Sequence, residues 1–356
     1  MTCPRPSRTT PSRRLALLMA TALASGTLAL PAIADEAKEL TIFNWAGYIA
    51  PDLVAKFETE TGIKVTLDTY DSNETLLAKL GAGSSGYDIA VASADFVPIM
   101  ISEGLVQEID ADTMANYANL GDSWKSTDWD PGNKYSVVWN WGTTSVSVDT
   151  AVYKGPLDSL SVVFEPPAEL QGKIGMSGSA SEVINLAMVY LGKEQCSAAP
   201  EDLKAVSDLL MAQKPFVKVY DASGVAELLG SGEVVAAQAW SGAALQARGE
   251  KDTLQYLYPK EGVYGWADNV VVPATAAHPE NAKAFINFLM DPENAAILSA
   301  YTGSPNGMPA SLAHLDPAVA EAPEFTPPAG AAIHFGKLCS EEATRAYDRI
   351  WSRVRG

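Results

Sequence analysis

Aromatic residues gather near the ends of β-rich runs in this sequence. Trp45 and Tyr48 follow the run Leu40–Trp45, Trp240 closes the run Val234–Trp240, and Trp266 stands two residues before the run Asp268–Val272. Trp139 and Trp141 lie in a Val-, Trp- and Thr-rich stretch, Lys134–Val148. Ligands of open α/β sheets sit beyond the carboxyl ends of the strands. Aromatics converging there with a few acids make a box for an organic cation. Ring faces attract the charge, by up to about 2 kcal/mol each in a dry site. A carboxylate accepts the cation's N–H bonds and offsets its desolvation. Filling a core is the alternative role for each tryptophan taken singly. Trp45 and Trp240 stand apart because Gly47 and Gly242 follow and open space.

Other chemistries lack their residues. The sequence has no G-x-S-x-G, no phosphate-loop motif, no H-E-x-x-H and no dinucleotide glycine fingerprint. His278, His314 and His334 form no catalytic set and no zinc spacing with each other or with the cysteines. Gly81-Ala82-Gly83 follows a helical pattern and reads as its C-cap, not a phosphate loop. The reading is a binder rather than an enzyme, with no cofactor and no metal. The 356 residues carry 25 Lys+Arg against 43 Asp+Glu, a net charge of −18. That balance opposes nucleic-acid binding and docking on an anionic membrane, which need clustered bases. With 47% hydrophobic residues and eight Trp, the chain can build a core, and its length allows two domains.

The first 34 residues read as an address. Arg5, Arg8, Arg13 and Arg14 precede an apolar stretch, Leu15–Leu30, and Ala32-Ile33-Ala34 is an A-x-A cleavage site. This is the pattern of a secretory signal peptide cleaved near Ala34. Ser12-Arg13-Arg14 also fits twin-arginine export, so both export routes stay open. Cleavage removes four Arg and no acid, leaving a net charge of −22. Two cysteines remain, Cys196 and Cys339. An oxidising compartment favours a bridge between them, but spacing alone does not place them together.

The elements that must position the aromatics alternate between strand and helix. Pro51-Asp52 opens a helix that stops at Gly62, Lys64–Tyr70 alternates as a strand, and Asp71-Ser72-Asn73-Glu74 fits a capping box with Asp71 as N-cap. Tyr87–Ala92 reads as a buried strand, followed by a helix near Asp95–Ser102. A second set runs through strands at Ile174–Met176, Val217–Tyr220 and Val234–Trp240. Its helices fall at Glu182–Leu191, Glu201–Gln213, Ser223–Gly230 and Gly242–Arg248. Val234–Trp240 is apolar except for Gln238. Helices at Pro279–Met290 and Ser340–Val354 follow. Such alternation predicts an α/β fold with a parallel sheet covered by helices.

Asn44-Trp45-Ala46-Gly47-Tyr48, Asp71-Ser72-Asn73-Glu74, Tyr87-Asp88-Ile89, Trp141-Gly142-Thr143-Thr144, Pro259-Lys260-Glu261-Gly262 and Phe285-Ile286-Asn287-Phe288-Leu289, in that order, resemble the spermidine/putrescine-binding proteins of ABC importers. The resemblance runs from about residue 39 to the C-terminus. It implies a two-lobed periplasmic solute receptor of type II that closes on a polyamine and docks, as a monomer, on an inner-membrane permease. It implies lobe 1 at 35–142 with 265–312 returning to it. Lobe 2 is then 143–264, with 313–356 packing mainly on it. By the same resemblance Trp45, Tyr48, Ser93, Asp95, Glu182, Trp240, Trp266 and Asp268 line the pocket. Glu182 has a competing role, because Ser179-Ala180-Ser181-Glu182 is itself a capping box. Three departures stand out. Ala46 and Gly47 replace a hydroxyl residue and an acid, and Ser179 and Ala243 each stand where some family members have an Asp. A second ammonium then needs Asp95 or Asp71, or else the ligand is another small amine, a quaternary ammonium or a zwitterion with one cation. The family's pocket tyrosine falls near Tyr301 or Thr302.

Overall fold

The computed structural model describes residues 36–83, 86–220 and 224–356. The signal sequence, its cleavage site, Ser84, Ser85 and the expected helix start at Ser223 lie outside the described residues. Ten strands join in one mixed sheet. They are β1 (Glu39–Trp45), β2 (Lys64–Tyr70), β3 (Ile89–Ser93), β4 (Ser136–Asp149), β5 (Ile174–Met176), β6 (Val217–Tyr220), β7 (Ala236–Trp240), β8 (Leu254–Tyr256), β9 (Val263–Val271) and β10 (Ile333–Phe335). The main path is β2-β1-β3-β9-β4-β7-β5-β6, with β10 beside β9 and β8 beside β4.

The outer parts of the sheet follow the expected β-α-β logic. β1 lies parallel to β2 and β3, and β5 parallel to β6 and β7. The middle does not. β9 runs antiparallel to both β3 and β4, and β4 runs antiparallel to β7. The all-parallel expectation is therefore corrected to a mixed sheet. Antiparallel neighbours need no helical crossover, so two long strands can link the two halves directly. β9 also starts five residues before the expected strand at Asp268, because Val263–Val271 keeps a period of two, with Tyr264, Trp266 and Asp268 on one face.

The apolar interior divides along these two strands. One half buries Leu53, Phe57, Ile89, Phe285 and Leu298 around β1, β3 and the helices Pro51–Thr61 and Pro279–Leu289. The other buries Val146, Ile174, Leu186, Leu210 and Ile350 around β5, the helices Ala180–Tyr190 and Pro200–Gln213, and the last helix, Glu341–Arg355. The fold is thus a two-lobed α/β protein. Helix ends carry their expected signals. Pro51–Thr61 stops at Gly62, whose φ of 72° suits glycine. The capping box at 71–74 is displaced by one residue: Ser72, not Asp71, accepts from the Thr75 N–H at 3.2 Å. Helix Val97–Ser102 begins two residues after Asp95, which leaves Asp95 in the preceding turn.

Cys196 and Cys339 form a disulfide with Cα atoms 4.9 Å apart. The bridge ties the loop after helix Ala180–Tyr190 to the segment between β10 and the last helix. It closes 143 residues of chain, so loop-closure entropy gives it about 3–5 kcal/mol of stabilisation. Replacing both cysteines by serine is expected to lower the unfolding free energy by that amount. Denaturant unfolding of the oxidised protein and the double variant measures it, and coincident transitions would contradict the expectation.

Candidate ligand-binding site

A cavity of about 800 Å³ opens between the lobes. The eight residues expected from the sequence, Trp45, Tyr48, Ser93, Asp95, Glu182, Trp240, Trp266 and Asp268, all line it. Each arrives by a local rule. Trp45 ends β1, and Gly47, at a φ of 68°, turns the chain so that Tyr48 returns. Ser93 ends β3 opposite Asp268 of β9. Trp240 ends β7, and the helix Ser241–Glu250 starts at once. Trp266 lies across Gly142 of β4, its register partner. A Cβ at position 142 would stand 2.4 Å from the indole Cζ2, so only glycine leaves room for this ring over the strand.

Asp268 is the centre of one wall. Tyr48 donates its hydroxyl to Oδ2 at 3.0 Å and Ser93 donates to Oδ1 at 2.9 Å. Asn73 in turn donates Nδ2 to Ser93 Oγ at 3.0 Å and accepts the Ser93 N–H at 3.1 Å. Burial, partly opposed by these two hydroxyls and reinforced by the like charge of Asp95, pushes the Asp268 carboxyl up to about 6. Asp95 is raised by burial and by the charge of Glu74, an effect opposed by hydrogen bonds from its own and the Phe96 backbone amides.

Glu182 forms the facing wall. Ser179 caps the helix by accepting the Glu182 N–H at 3.4 Å. The carboxylate does not complete the box: Oε2 accepts from Ser177 Oγ at 2.7 Å and Oε1 from Trp240 Nε1 at 2.5 Å. The backbone of Glu182 therefore serves the cap while its carboxylate faces the cavity. Burial raises its pKa, and the Ser177 and Trp240 donors oppose that rise. Five acids line the cavity, Asp71, Glu74, Asp95, Glu182 and Asp268, and among its described lining residues there is no Lys, Arg or His. Such a chamber attracts cations and repels anions.

Several lining residues were not expected. Tyr264 shares the period of Trp266 and Asp268, a signal visible once β9 is extended. Asn73 sat within the capping segment. Phe335 ends β10 and Gly336 follows it, and the pairing of β10 with β9 leaves no local mark in the sequence. Thr302 lines the cavity, while Tyr301 is half-exposed and does not. Trp139 and Trp141 stay outside. Trp139 is buried in the core, with Nε1 donating to Tyr48 O at 3.2 Å, and Trp141 packs against Trp124 and donates to Asn306 O at 2.9 Å. Of the tryptophans considered, these two take the core-filling role.

Residues 52–327 match the family model described as bacterial extracellular solute-binding protein. The chain belongs to that family. This solute-binding protein is 35% identical to the spermidine/putrescine-binding periplasmic protein of Escherichia coli over 303 residues, covering 84% of this chain and 86% of the relative. It is 33% identical to the putrescine/agmatine-binding protein of Pseudomonas aeruginosa over 335 residues, covering 88% and 91%. Among solved structures it is similar to a spermidine/putrescine ABC transporter substrate-binding protein from Streptococcus pneumoniae. The TM-score is 0.81 and the identity 28%, with 90% of this chain and 99% of that one covered.

The raised Asp268 pKa has a sign that can be checked in the solute-binding protein without ligand. Below about pH 4 the carboxyl is protonated in both native and unfolded chains. Between about 4 and 6 the unfolded chain ionises first, so stability falls as pH rises, by on the order of 3 kcal/mol. Asp268→Asn should remove this fall. Unfolding free energies of the two proteins from pH 4 to 7 test it, and parallel profiles would contradict it.

Proposed function

We propose that the protein is the periplasmic substrate-binding component of an ABC importer, capturing polyamines of the putrescine/spermidine class and delivering them to an inner-membrane permease. The observation that carries this reading is the cavity wall: five carboxylates and the rings of Trp45, Tyr48, Trp240 and Trp266, with no basic side chain. Three of the carboxylates, those of Asp95, Glu182 and Asp268, are partly buried, and carboxylates withdrawn from water are costly unless a partner such as an ammonium group relieves them. The relatives' names and the S. pneumoniae structure's title point to the same ligands and the same transport role. The basic, then apolar, first 34 residues support export and cleavage near Ala34. No helix among the described residues is long and apolar enough to cross a membrane. We read the receptor as a non-enzymatic monomer that binds no nucleic acid. Its lobe 1 is 35–142 plus 265–312, and its lobe 2 is 143–264 with 313–356 packed mainly on it.

In this reading Asp268, flanked by Tyr48, Ser93 and Trp266, holds one ammonium, and Glu182 with Trp240 faces it from the other lobe. Asp95 takes the second ammonium. It stands in for the acids missing at Gly47, Ser179 and Ala243, and no side chain among the described residues donates to it. The ligand therefore carries more than one positive charge. A second reading, a small amine with a single cation, draws support from Asp268, which already holds two hydroxyls of the protein and forms an anchor for one ammonium. A zwitterion's carboxylate fits this wall poorly.

Calorimetric titration with putrescine, spermidine and n-butylamine distinguishes these readings. Putrescine is expected to bind at least ~100-fold tighter than butylamine, which has the same carbon chain and one charge fewer. Asp268→Asn should cost putrescine about 2 kcal/mol or more. An unchanged affinity would remove Asp268 from the site. Asp95→Asn should weaken putrescine roughly tenfold or more while moving butylamine less than about threefold. Equal losses for the two amines would exclude Asp95 as the second anchor.

A further inference from the structure

Gln238 is the one polar side chain of β7, and the ligand cavity does not include it. It is 2% exposed, its Oε1 accepts the Ser177 N–H at 3.4 Å, and its Nε2 has no partner among the described residues. On the neighbouring strand, Thr144 is 1% exposed and its Oγ1 is also unpartnered. Register places Thr144 opposite Trp240 and Val146 opposite Gln238, so Thr144 and Gln238 lie diagonally on one face of the sheet. Both line a small chamber behind the ligand cavity, together with Ser177, Glu182 and the indole of Trp240. Its volume of about 10 Å³ is the size of one water molecule.

We propose that this chamber is a binding site for a single water molecule, which makes Gln238 and Thr144 positioning residues for Glu182. The polarity selects the occupant. Gln238 Nε2 only donates, so the occupant must accept. The Glu182 carboxylate only accepts, so the occupant must donate. An ammonium ion fails the first condition and a halide the second. Water meets both and uses the Thr144 hydroxyl as a third partner. The water then adds a donor behind a carboxylate already held by Ser177 and Trp240, and it couples that carboxylate to β4, which spans both lobes. Titratable groups facing the cavity from other elements are Tyr48, Asp71, Glu74, Asp95, Tyr264 and Asp268. None of them lines the small chamber.

The inference rests on Glu182 serving the ligand, but its main test needs no ligand. The side-chain carboxyl of Glu182 can be followed by carbon NMR against pH in the ligand-free protein, assigned with Glu182→Gln. Gln238→Leu and Thr144→Val should each raise its midpoint by half a unit or more. An unmoved midpoint in Thr144→Val, which removes only a hydroxyl, overturns the proposal even if Gln238→Leu fails to fold. A crystal structure at high resolution should show one density peak within hydrogen-bond reach of Gln238 Nε2, and an empty chamber overturns it as well. With putrescine as probe, Gln238→Leu should weaken binding at least fivefold in the wild-type background and less than twofold in Glu182→Gln. Equal losses in the two backgrounds would mean that Gln238 acts on packing rather than through Glu182. Failure of putrescine to bind the wild-type protein would count against the polyamine reading and leave the NMR and density outcomes decisive for the water.

Discussion

A partly buried carboxylate on a cavity wall that has no cation among its described lining residues is the constraint around which this molecule is arranged. Asp268 receives two hydroxyls, from Tyr48 and Ser93, and still prefers its proton more than an exposed aspartate does. Asp95 lies close enough to make that preference stronger. The folded protein therefore holds an electrostatic deficit on the wall of its cavity. A guest with fixed positive charge removes it, and the free energy released counts toward affinity instead of fold stability. Sites that must recognise rather than merely persist carry such local costs, and the two cores on either side supply the stability that tolerates them.

The sheet topology explains why the deficit lies between lobes. β4 and β9 pass from one core to the other, and Asp268 sits on β9 where the two cores part. Trp45, Tyr48 and Ser93 come from one half, and Glu182 and Trp240 from the other. Neither half holds the box by itself. A ligand that touches both walls stabilises whichever arrangement brings them together, in proportion to the contacts it makes in that arrangement and not in others. The segment of β10 adds a third connection: Phe335 packs against Trp124 and Trp129 of one half, while Cys339, four residues on, is bridged to Cys196 of the other.

Much of this was legible from residue order. Helix stops at Gly62, the outer β-α-β units, the capping role of Ser179 and the eight cavity residues all follow from local pattern or from the motifs that carry the family resemblance. The failures have a common cause. A period of two tells which residues share a face, but not where pairing partners lie, so the antiparallel middle of the sheet and the early start of β9 were missed. Tyr264 was lost with them. β10 is three residues long and pairs across some seventy positions, and nothing within it announces that contact. Trp139 and Trp141 have the same composition signal as Trp45 and Trp240. Only their place in the strand order sends them into the core. Sequence could not choose between cap and cavity for Glu182, because its backbone N–H serves the cap while its carboxylate lines the cavity.

The bare strand beneath Trp266 carries a wider implication. Because the indole rests where a side chain at position 142 would otherwise project, these two sites form one steric unit though they are 124 positions apart in the chain. A lineage trimming the ring would relieve the nearer of two obstructions at 142, the other being the Ser241 hydroxyl, whereas one filling 142 first would dislodge the ring. The route to a new specificity is thus directional: the large partner must shrink before the small one can grow.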